Sequence, residues 1–251
     1  DENVEKEEIE YLIRRQIDGL IVIPAASDAK HFHSKQLENI PVVAFDQPIL
    51  GAGFDSILVK NRSGAAGAVQ HLIDHGHKRI ACIGVHSNLY SIQKRIEGYR
   101  DAIMGARLRE ILAIVDPEQE DGIAKQIDHW LGQKYPPTAI FSLTEATSTG
   151  VVEALASKGV QLPGEIAFIS FDEIQLGKYL DPPVTAVVQP GFEIGTSAAK
   201  RLLERIESDN SLPSKRILLD TTLVIRGSCG SDSDHTKMAS RNGKMPKHIA
   251  D

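Results

Sequence analysis

Aromatic residues are scarce in this 251-residue chain, because Phe, Trp and Tyr together make up 5% of it. So low a content argues against the base-stacking surfaces with which proteins hold single-stranded nucleic acid. Basic residues are also fewer than acidic ones: the chain has 28 Lys and Arg and 34 Asp and Glu, and its net charge is −6. Basic pairs such as Lys78–Arg79 and Lys200–Arg201 are scattered. The chain as a whole is therefore not drawn towards phosphate or anionic lipid.

Long apolar runs and cysteine pairs are missing as well. No stretch of about 18 apolar residues occurs, so the sequence predicts no membrane span. The only cysteines, Cys82 and Cys229, lie far apart, which predicts no structural disulfide and favours the reducing cytoplasm. The first residues, DENVEKEEIEYL, are too acidic for a signal peptide. A helical pattern over 3–16 precedes the first strand without an initiator Met, so we expect the chain to begin partway through its fold.

Motifs of catalysis and of metal binding are absent. There is no GxSxG elbow, P-loop or HExxH, and GAGFDS at 51–56 lacks the third glycine of a dinucleotide fingerprint. His71 and His75 lie four residues apart on a predicted helix, opposite its apolar arc, and Gly76 is well placed to end that helix. Since a metal site needs a third and usually a fourth ligand, we interpret them as a solvent-facing pair near the helix C-terminus. We predict no catalytic residues, no metal, no cofactor and no enzymatic activity.

Short continuous apolar runs alternate with helical patterns along the chain. Such runs are typical of parallel strands that are covered on both faces, and they predict nine strands: 18–24, 41–45, 56–60, 79–84, 111–115, 139–143, 166–171, 185–189 and 221–226. Helical spacing groups two apolar arcs: Ala65, Val69, Leu72 and Ile73, then Ile194, Ala198, Leu202, Leu203 and Ile206. Nine strands are too many for one compact sheet, so we predict an α/β fold with two subdomains and right-handed crossovers. Residues 227–251 have no apolar period and predict a disordered tail.

Polar side chains follow several predicted strands at their carboxyl ends, where open α/β sheets bind ligands. They are Ser91 and Arg95, Thr144 and Glu145, Asp172, and Gln189. A carboxylate accepts hydrogen bonds from vicinal hydroxyls, and a guanidinium donates in a planar fork, so this set suits a polyhydroxylated ligand. Each residue taken alone also has a purely structural interpretation. Arg95 fits an exposed helix surface, and Asp172 fits the N-cap of a following helix.

An ordered set of motifs carries a resemblance to a known family. The motifs are DGLIVIP, IPVVAFD, NRSGAAGAVQHLIDHGHKRIACIG, RIEGYRDAI, FISFDE, PPVTAVVQP and TTLVIRGSC. Over about residues 3–229 the chain resembles the sensor core of the LacI/GalR bacterial transcription regulators. The resemblance implies a periplasmic-binding-protein-like type I fold with two Rossmann-like subdomains and parallel sheets. A small polar effector, a sugar or sugar derivative, would bind in the cleft between them.

The resemblance also implies boundaries and contacts. The N-terminal subdomain would comprise 1–76 plus 189–216, and the C-terminal one 77–188 plus 217–226, with the first crossing at Gly76–His77. Effector contacts carry over by motif onto Ser91, Arg95, Asp172 and Gln189. Thr144 and Glu145 stand where the family has an Asn–Asp pair, so Thr144 joins the effector-binding set with an altered hydrogen-bond pattern. Lys60 and Ser170 likewise replace an Asp and a Gly of the family pattern.

The same resemblance implies binding partners for the chain, and it leaves two alternative functions open. It implies a homodimer in which the effector shifts a population of states, and operator DNA bound only through a helix-turn-helix domain that this chain lacks. The first strand–helix–strand of the N-terminal subdomain would be missing, which leaves 18–24 with an unpaired apolar edge. One alternative is an exported sugar-binding protein of an ABC transporter, and the coding sequence upstream would decide between them. An enzyme on a related scaffold is the other, and it would require a catalytic dyad.

Overall fold

The computed structural model describes residues 1–51, 53–85, 89–116, 119, 121–208 and 210–230. Within them, the α-helices are α1 (Glu2–Arg14), α2 (Asn61–Asp74), α3 (Tyr90–Gly105), α4 (Gly122–Leu131), α5 (Glu145–Ser157) and α6 (Gly191–Glu207). The strands are β1 (Leu20–Val22), β2 (Val42–Phe45), β3 (Asp55–Val59), β4 (Ile80–Val85), β5 (Ile111–Val115), β6 (Ala139–Ser142), β7 (Ala167–Phe171), β8 (Thr185–Val188), β9 (Arg216–Leu219) and β10 (Thr222–Val224). Strands and helices alternate, so the predicted α/β class is confirmed.

The chain forms two compact units, each built on its own sheet. Unit 1 comprises residues 1–65, 87–98 and 189–222, and unit 2 comprises 66–86, 99–188 and the residues from 223 onwards. The first division between the units falls within α2, whereas the resemblance implies a crossing at Gly76–His77. The subdomain boundaries implied by the resemblance stay a prediction.

The sheet of unit 1 has the order β1-β2-β3-β9, and all three neighbouring pairs are parallel. Successive residues of β2 point to opposite faces: Val42 and Ala44 pack in one apolar cluster with Ile9 of α1, whereas Val43 packs in another with Ala198 of α6. The sheet is thus covered on both sides. β1 is an edge strand, because it lies at the end of the strand order. Ile21 of β1 and Ile23 just after it are 38% and 51% exposed.

The sheet of unit 2 has the order β10-β8-β7-β6-β4-β5. β4 pairs in parallel with β5 and β6, β6 with β7, and β7 with β8. One core cluster joins Ile83 and Phe168 of this sheet to Trp130 of α4 and Leu155 of α5. Cys82 is fully buried in β4, and burial raises the pKa of its thiol well above the usual value. It therefore packs as a small neutral apolar residue.

Helix α2 ends in a glycine turn that the sequence predicted. Gly76 has a φ of +87°, its amide donates to the Ile73 carbonyl, and the His77 amide donates to the Leu72 carbonyl. These two bonds form a Schellman motif, whose left-handed residue favours glycine. Among the described residues, no helix is both long and apolar enough to cross a bilayer.

Three sequence predictions need correction. The nine predicted strands omit β9, whose four residues are alternately exposed and half-buried and so lack a continuous buried run. On α6, Leu203 was assigned to the apolar arc but is 57% exposed, while Arg201 and Arg205 are buried because Asp55 lies opposite them. The predicted tail begins too early, because Gly227–Cys229 form a 3-10 helix in which Ser228 and Cys229 are buried. The remainder of that prediction, 231–251, lies outside the described residues.

Candidate functional site

In unit 1, a buried glutamine follows β2 and holds the beginning of α3. The Gln47 side chain is completely buried, and its Oε1 accepts a hydrogen bond of 2.7 Å from the Tyr90 amide. The first amides of a helix lack partners within the helix, so this contact caps α3. Gln47 Nε2 donates to Ser91 Oγ at 2.6 Å and to Asp46 Oδ2 at 3.1 Å. The predicted site residue Ser91 is therefore fixed by a residue from the carboxyl end of a strand.

Arg95 lies one turn further along α3 and has a comparable anchor. Its Nε donates to Asn61 Oδ1 at 2.8 Å, and Asn61 begins α2 directly after β3. Arg95 is only 3% exposed, so its interpretation as a surface helix residue is wrong. A guanidinium carries five N–H donors in a rigid plane, and the contact with Asn61 orients that plane. Because Ser91 and Arg95 are four residues apart, they share one face of the helix.

In unit 2, Thr144 follows β6 and caps α5. Its Oγ1 accepts a hydrogen bond of 3.2 Å from the Thr147 amide and lies 2.8 Å from Thr147 Oγ1. This N-cap satisfies one of the free amides of the helix. The neighbouring Glu145 accepts at Oε1 from the Gln175 amide at 3.1 Å. Both residues thus stabilise the local backbone just after β6, Thr144 as a helix cap and Glu145 through the Gln175 amide. The place of Thr144 in the effector-binding set stays a prediction.

Asp172 directly follows β7 and turns the chain out of the sheet. Its φ of +73° is left-handed, a conformation that Asp tolerates better than most residues. Its amide donates to the Val187 carbonyl at 2.9 Å. The next helical turn begins only at Gly177, so the interpretation of Asp172 as a helix N-cap is wrong. Asp172 is half-buried, and its place in the effector-binding set stays a prediction.

Three buried serines connect the Thr144 and Asp172 backbones within unit 2. Ser142 ends β6, Ser148 lies in α5 and Ser170 lies in β7, and all three are completely buried. Their hydroxyls form one chain: Ser142 bonds to Ser148, Ser148 to Ser170 at 2.6 Å, and Ser170 to the Asp172 carbonyl. We call these three residues the serine chain.

Gln189 follows β8 and precedes α6 at its Pro190 N-cap. By contacts, it belongs to unit 1 together with Ser91 and Arg95, whereas Thr144 and Asp172 belong to unit 2. Sequence reasoning missed Gln47, Asn61 and Ser148, and it noted Ser170 only as the replacement of a glycine in the family pattern. Gln47 and Asn61 follow the strands 41–45 and 56–60 within two residues of their ends, so the strand-end rule would have found both had it been applied there.

The histidines near the end of α2 form a packing contact. The His71 and His75 rings are 4.3 Å apart between centroids, and His71 Nε2 lies 3.4 Å from Cys229 Sγ. His75 is exposed as predicted, whereas His71 is half-buried, so the solvent-facing interpretation is wrong for His71. Burial, and then the neighbouring His75, lower the pKa of His71. Nowhere in the described part of the chain do three or more His, Cys, Asp or Glu side chains gather as a metal site would require.

Comparisons with known proteins agree with this architecture. Residues 69–229 match the periplasmic binding protein-like domain. The HTH-type transcriptional repressor CytR of Escherichia coli K12 is 30% identical over 89% of the chain, and the match covers 66% of that repressor. The ribose operon repressor of Haemophilus influenzae is 28% identical over 89% of the chain and 67% of its own length. The chain thus spans about two thirds of the length of these relatives.

A solved structure shows the same fold. The LacI family transcriptional regulator from Enterococcus faecium with bound ribose superposes with a TM-score of 0.79 at 25% identity, over 88% of the chain and 83% of that structure. The predicted resemblance is confirmed.

Proposed function

Because the chain belongs to the periplasmic binding protein-like domain family, we propose that it is the ligand-sensing core of a LacI-type transcriptional repressor. The effector would be a small polyhydroxylated molecule, a sugar or sugar derivative. The relatives named above are repressors, and one solved regulator holds ribose. These relatives favour a regulator over the transporter protein that the fold would also accommodate, and over an enzyme.

One observation carries the proposal: Arg95 is a buried cation whose orientation is set by a dedicated partner. A buried charge is unfavourable unless it is hydrogen-bonded, and Asn61 supplies one bond at 2.8 Å. The same face of α3 presents Ser91, which Gln47 fixes. A guanidinium and a hydroxyl held at strand ends can donate to the ring oxygen and hydroxyls of a sugar. Asp172, at a strand end of unit 2, would accept from sugar hydroxyls.

The regulatory mechanism that we propose is a population shift. A ligand changes an equilibrium between two states only by its difference in affinity for them. The effector would favour one state of a homodimer, and operator DNA bound by the complete regulator would favour one of the two as well. Binding of effector and of DNA would then be coupled reciprocally.

Calorimetric titration of the 251-residue chain with D-ribose, D-glucose and cellobiose tests the proposal. We expect saturable binding of at least one sugar and its loss in Arg95→Ala. Arg100→Ala is the matched control, because Arg100 lies on the same helix but is exposed and pairs with Glu110 at 3.0 Å. Equal affinity of Arg95→Ala and the wild-type chain would refute the assignment of Arg95.

A further inference from the structure

The serine chain is an unusual feature of the unit 2 core. Ser142, Ser148 and Ser170 lie beside buried apolar residues such as Phe141 and Ile169 of the same strands. A hydroxyl in such surroundings is unfavourable unless it is hydrogen-bonded. Alanine would fill nearly the same space without that requirement. Packing alone therefore does not explain why serine occupies these three positions.

Proton counting allows a directed arrangement of the hydrogen bonds in the serine chain. Each serine hydroxyl has one proton to donate and can also accept. The Ser148 hydroxyl has two acceptors within reach: the Thr144 carbonyl at 2.7 Å, which also accepts from the Ser148 amide at 2.9 Å, and Ser170 Oγ at 2.6 Å. A carbonyl oxygen can accept two hydrogen bonds, so Ser148 can donate to either acceptor. In the arrangement that reaches Asp172, Ser142 donates to Ser148, Ser148 to Ser170, and Ser170 to the Asp172 carbonyl, so that every proton is used once. Ser170 Oγ also lies 3.2 Å from the Phe171 carbonyl.

The end point of the serine chain is the backbone of Asp172. Its carbonyl accepts from Ser170, and its amide donates to the Val187 carbonyl of β8 at 2.9 Å. Both main-chain polar groups of Asp172 are thus tied to the sheet. This fixation holds a non-glycine residue at a φ of +73°, a region that costs an L-residue about 1 kcal/mol or more.

We propose that Ser170 and Ser148 are positioning residues for effector binding, acting by holding the Asp172 backbone. The inference rests on the proposed function, because it assumes that the Asp172 carboxylate contacts a sugar. Ser170 acts directly on the Asp172 carbonyl, and Ser148 acts through Ser170. A carboxylate that is held in place before binding loses less conformational freedom when the ligand arrives.

The test compares alanine variants within unit 2. Ser170→Ala and Ser148→Ala each remove one hydroxyl of the serine chain. Ser157→Ala is the matched control, because Ser157 also lies in α5 and donates to a backbone carbonyl, that of Ala154 at 2.8 Å. In calorimetric titrations with D-ribose, we expect the affinity to fall about threefold to tenfold in the first two variants. The affinity of the control should stay within about twofold.

A double-mutant cycle separates positioning from a general structural role. If Ser170 acts through Asp172, replacing Ser170 by alanine should change the D-ribose affinity much less in an Asp172→Asn background. An equal loss in both backgrounds would overturn the inference. So would an unchanged affinity of Ser170→Ala while Arg95→Ala abolishes binding, a result that leaves the proposed function standing.

A ligand-free measurement decides the inference if wild-type protein does not bind D-ribose, an outcome that counts against the proposed effector class. Amide hydrogen exchange at Asp172 reports directly on its fixation. We expect faster exchange in Ser170→Ala and Ser148→Ala and an unchanged rate in Ser157→Ala. Unchanged exchange in all three variants would overturn the inference.

Discussion

The strongest stability prediction concerns the buried carboxylate of Asp55 in unit 1. Asp55 begins β3, and its Oδ1 accepts from Arg201 Nε at 2.9 Å and from the Lys215 amide at 2.6 Å. Its Oδ2 lies 3.6 Å from a terminal nitrogen of Arg205. The side chain of Asp55 is completely buried, and those of Arg201 and Arg205 are 2% and 6% exposed. One carboxylate therefore joins β3, α6 and the segment that leads into β9.

Replacing Asp55 by alanine leaves two buried guanidinium groups without their carboxylate. Removal of one partner from a buried ion pair lowers the free energy of unfolding by about 3–5 kcal/mol. A domain of this kind has about 5–15 kcal/mol in total, so the variant should be close to unfolding. The remaining contacts of Arg201 with Glu204 and the Pro213 carbonyl do not replace the one lost, because Glu204 is half-exposed.

Lys60 and Asp220 provide the comparison, since they form an ion pair of 2.8 Å just beyond the other end of β3. Their side chains are 43% and 80% exposed, and exposed pairs contribute only about 0.2–1 kcal/mol. Urea unfolding followed by circular dichroism should show a large loss for Asp55→Ala and a small one for Asp220→Ala. Similar losses for the two variants would refute the reasoning.

Replacing Asn61 by alanine removes the acceptor that orients Arg95, and titration with D-ribose should show an affinity about tenfold weaker; an unchanged affinity would contradict the role of Asn61. The lowered pKa of His71 means that the unfolded chain binds the proton more readily, so the free energy of unfolding should fall as the pH drops below about 6.5. Urea unfolding at several pH values should show a shallower fall in His71→Gln, and an identical fall would count against this explanation. Gly76→Ala should lower the free energy of unfolding by about 1 kcal/mol because of its left-handed φ, whereas Gly105→Ala, at a helix end with open space and no such φ, should be nearly neutral; equal losses would be inconsistent with a strained turn.

Continuous apolar runs made most strands predictable from sequence. Every residue of β3 and β7 is buried, so the hydrophobic pattern and the structure coincide. β9 fails this test because it pairs with β3 alone in the strand order and alternates between exposed and half-buried positions. Arg201 and Arg205 are the reverse case, because they are charged residues that the structure buries. Their burial depends on Asp55, which is 146 residues away from Arg201, and no local pattern encodes that partner.

The candidate site was predictable in part for a similar reason. Ser91, Arg95 and Asp172 became candidates because polar residues after strand ends stand out against apolar runs. Their supporting partners were not, since the bonds from Ser91 to Gln47 and from Arg95 to Asn61 span 44 and 34 residues. The sequence therefore predicts candidate ligand contacts, and the structure adds what orients Ser91 and Arg95.

Sugar binding at the carboxyl ends of the parallel strands is the core of the proposed function. Titration of isotopically labelled protein with D-ribose, followed by amide NMR, tests this most directly. We expect saturable shifts at Gln47, Ser91 and Asp172, with the same apparent affinity at each. Saturable shifts confined to the amino ends of the strands, around Val42 and Asp55, would contradict it.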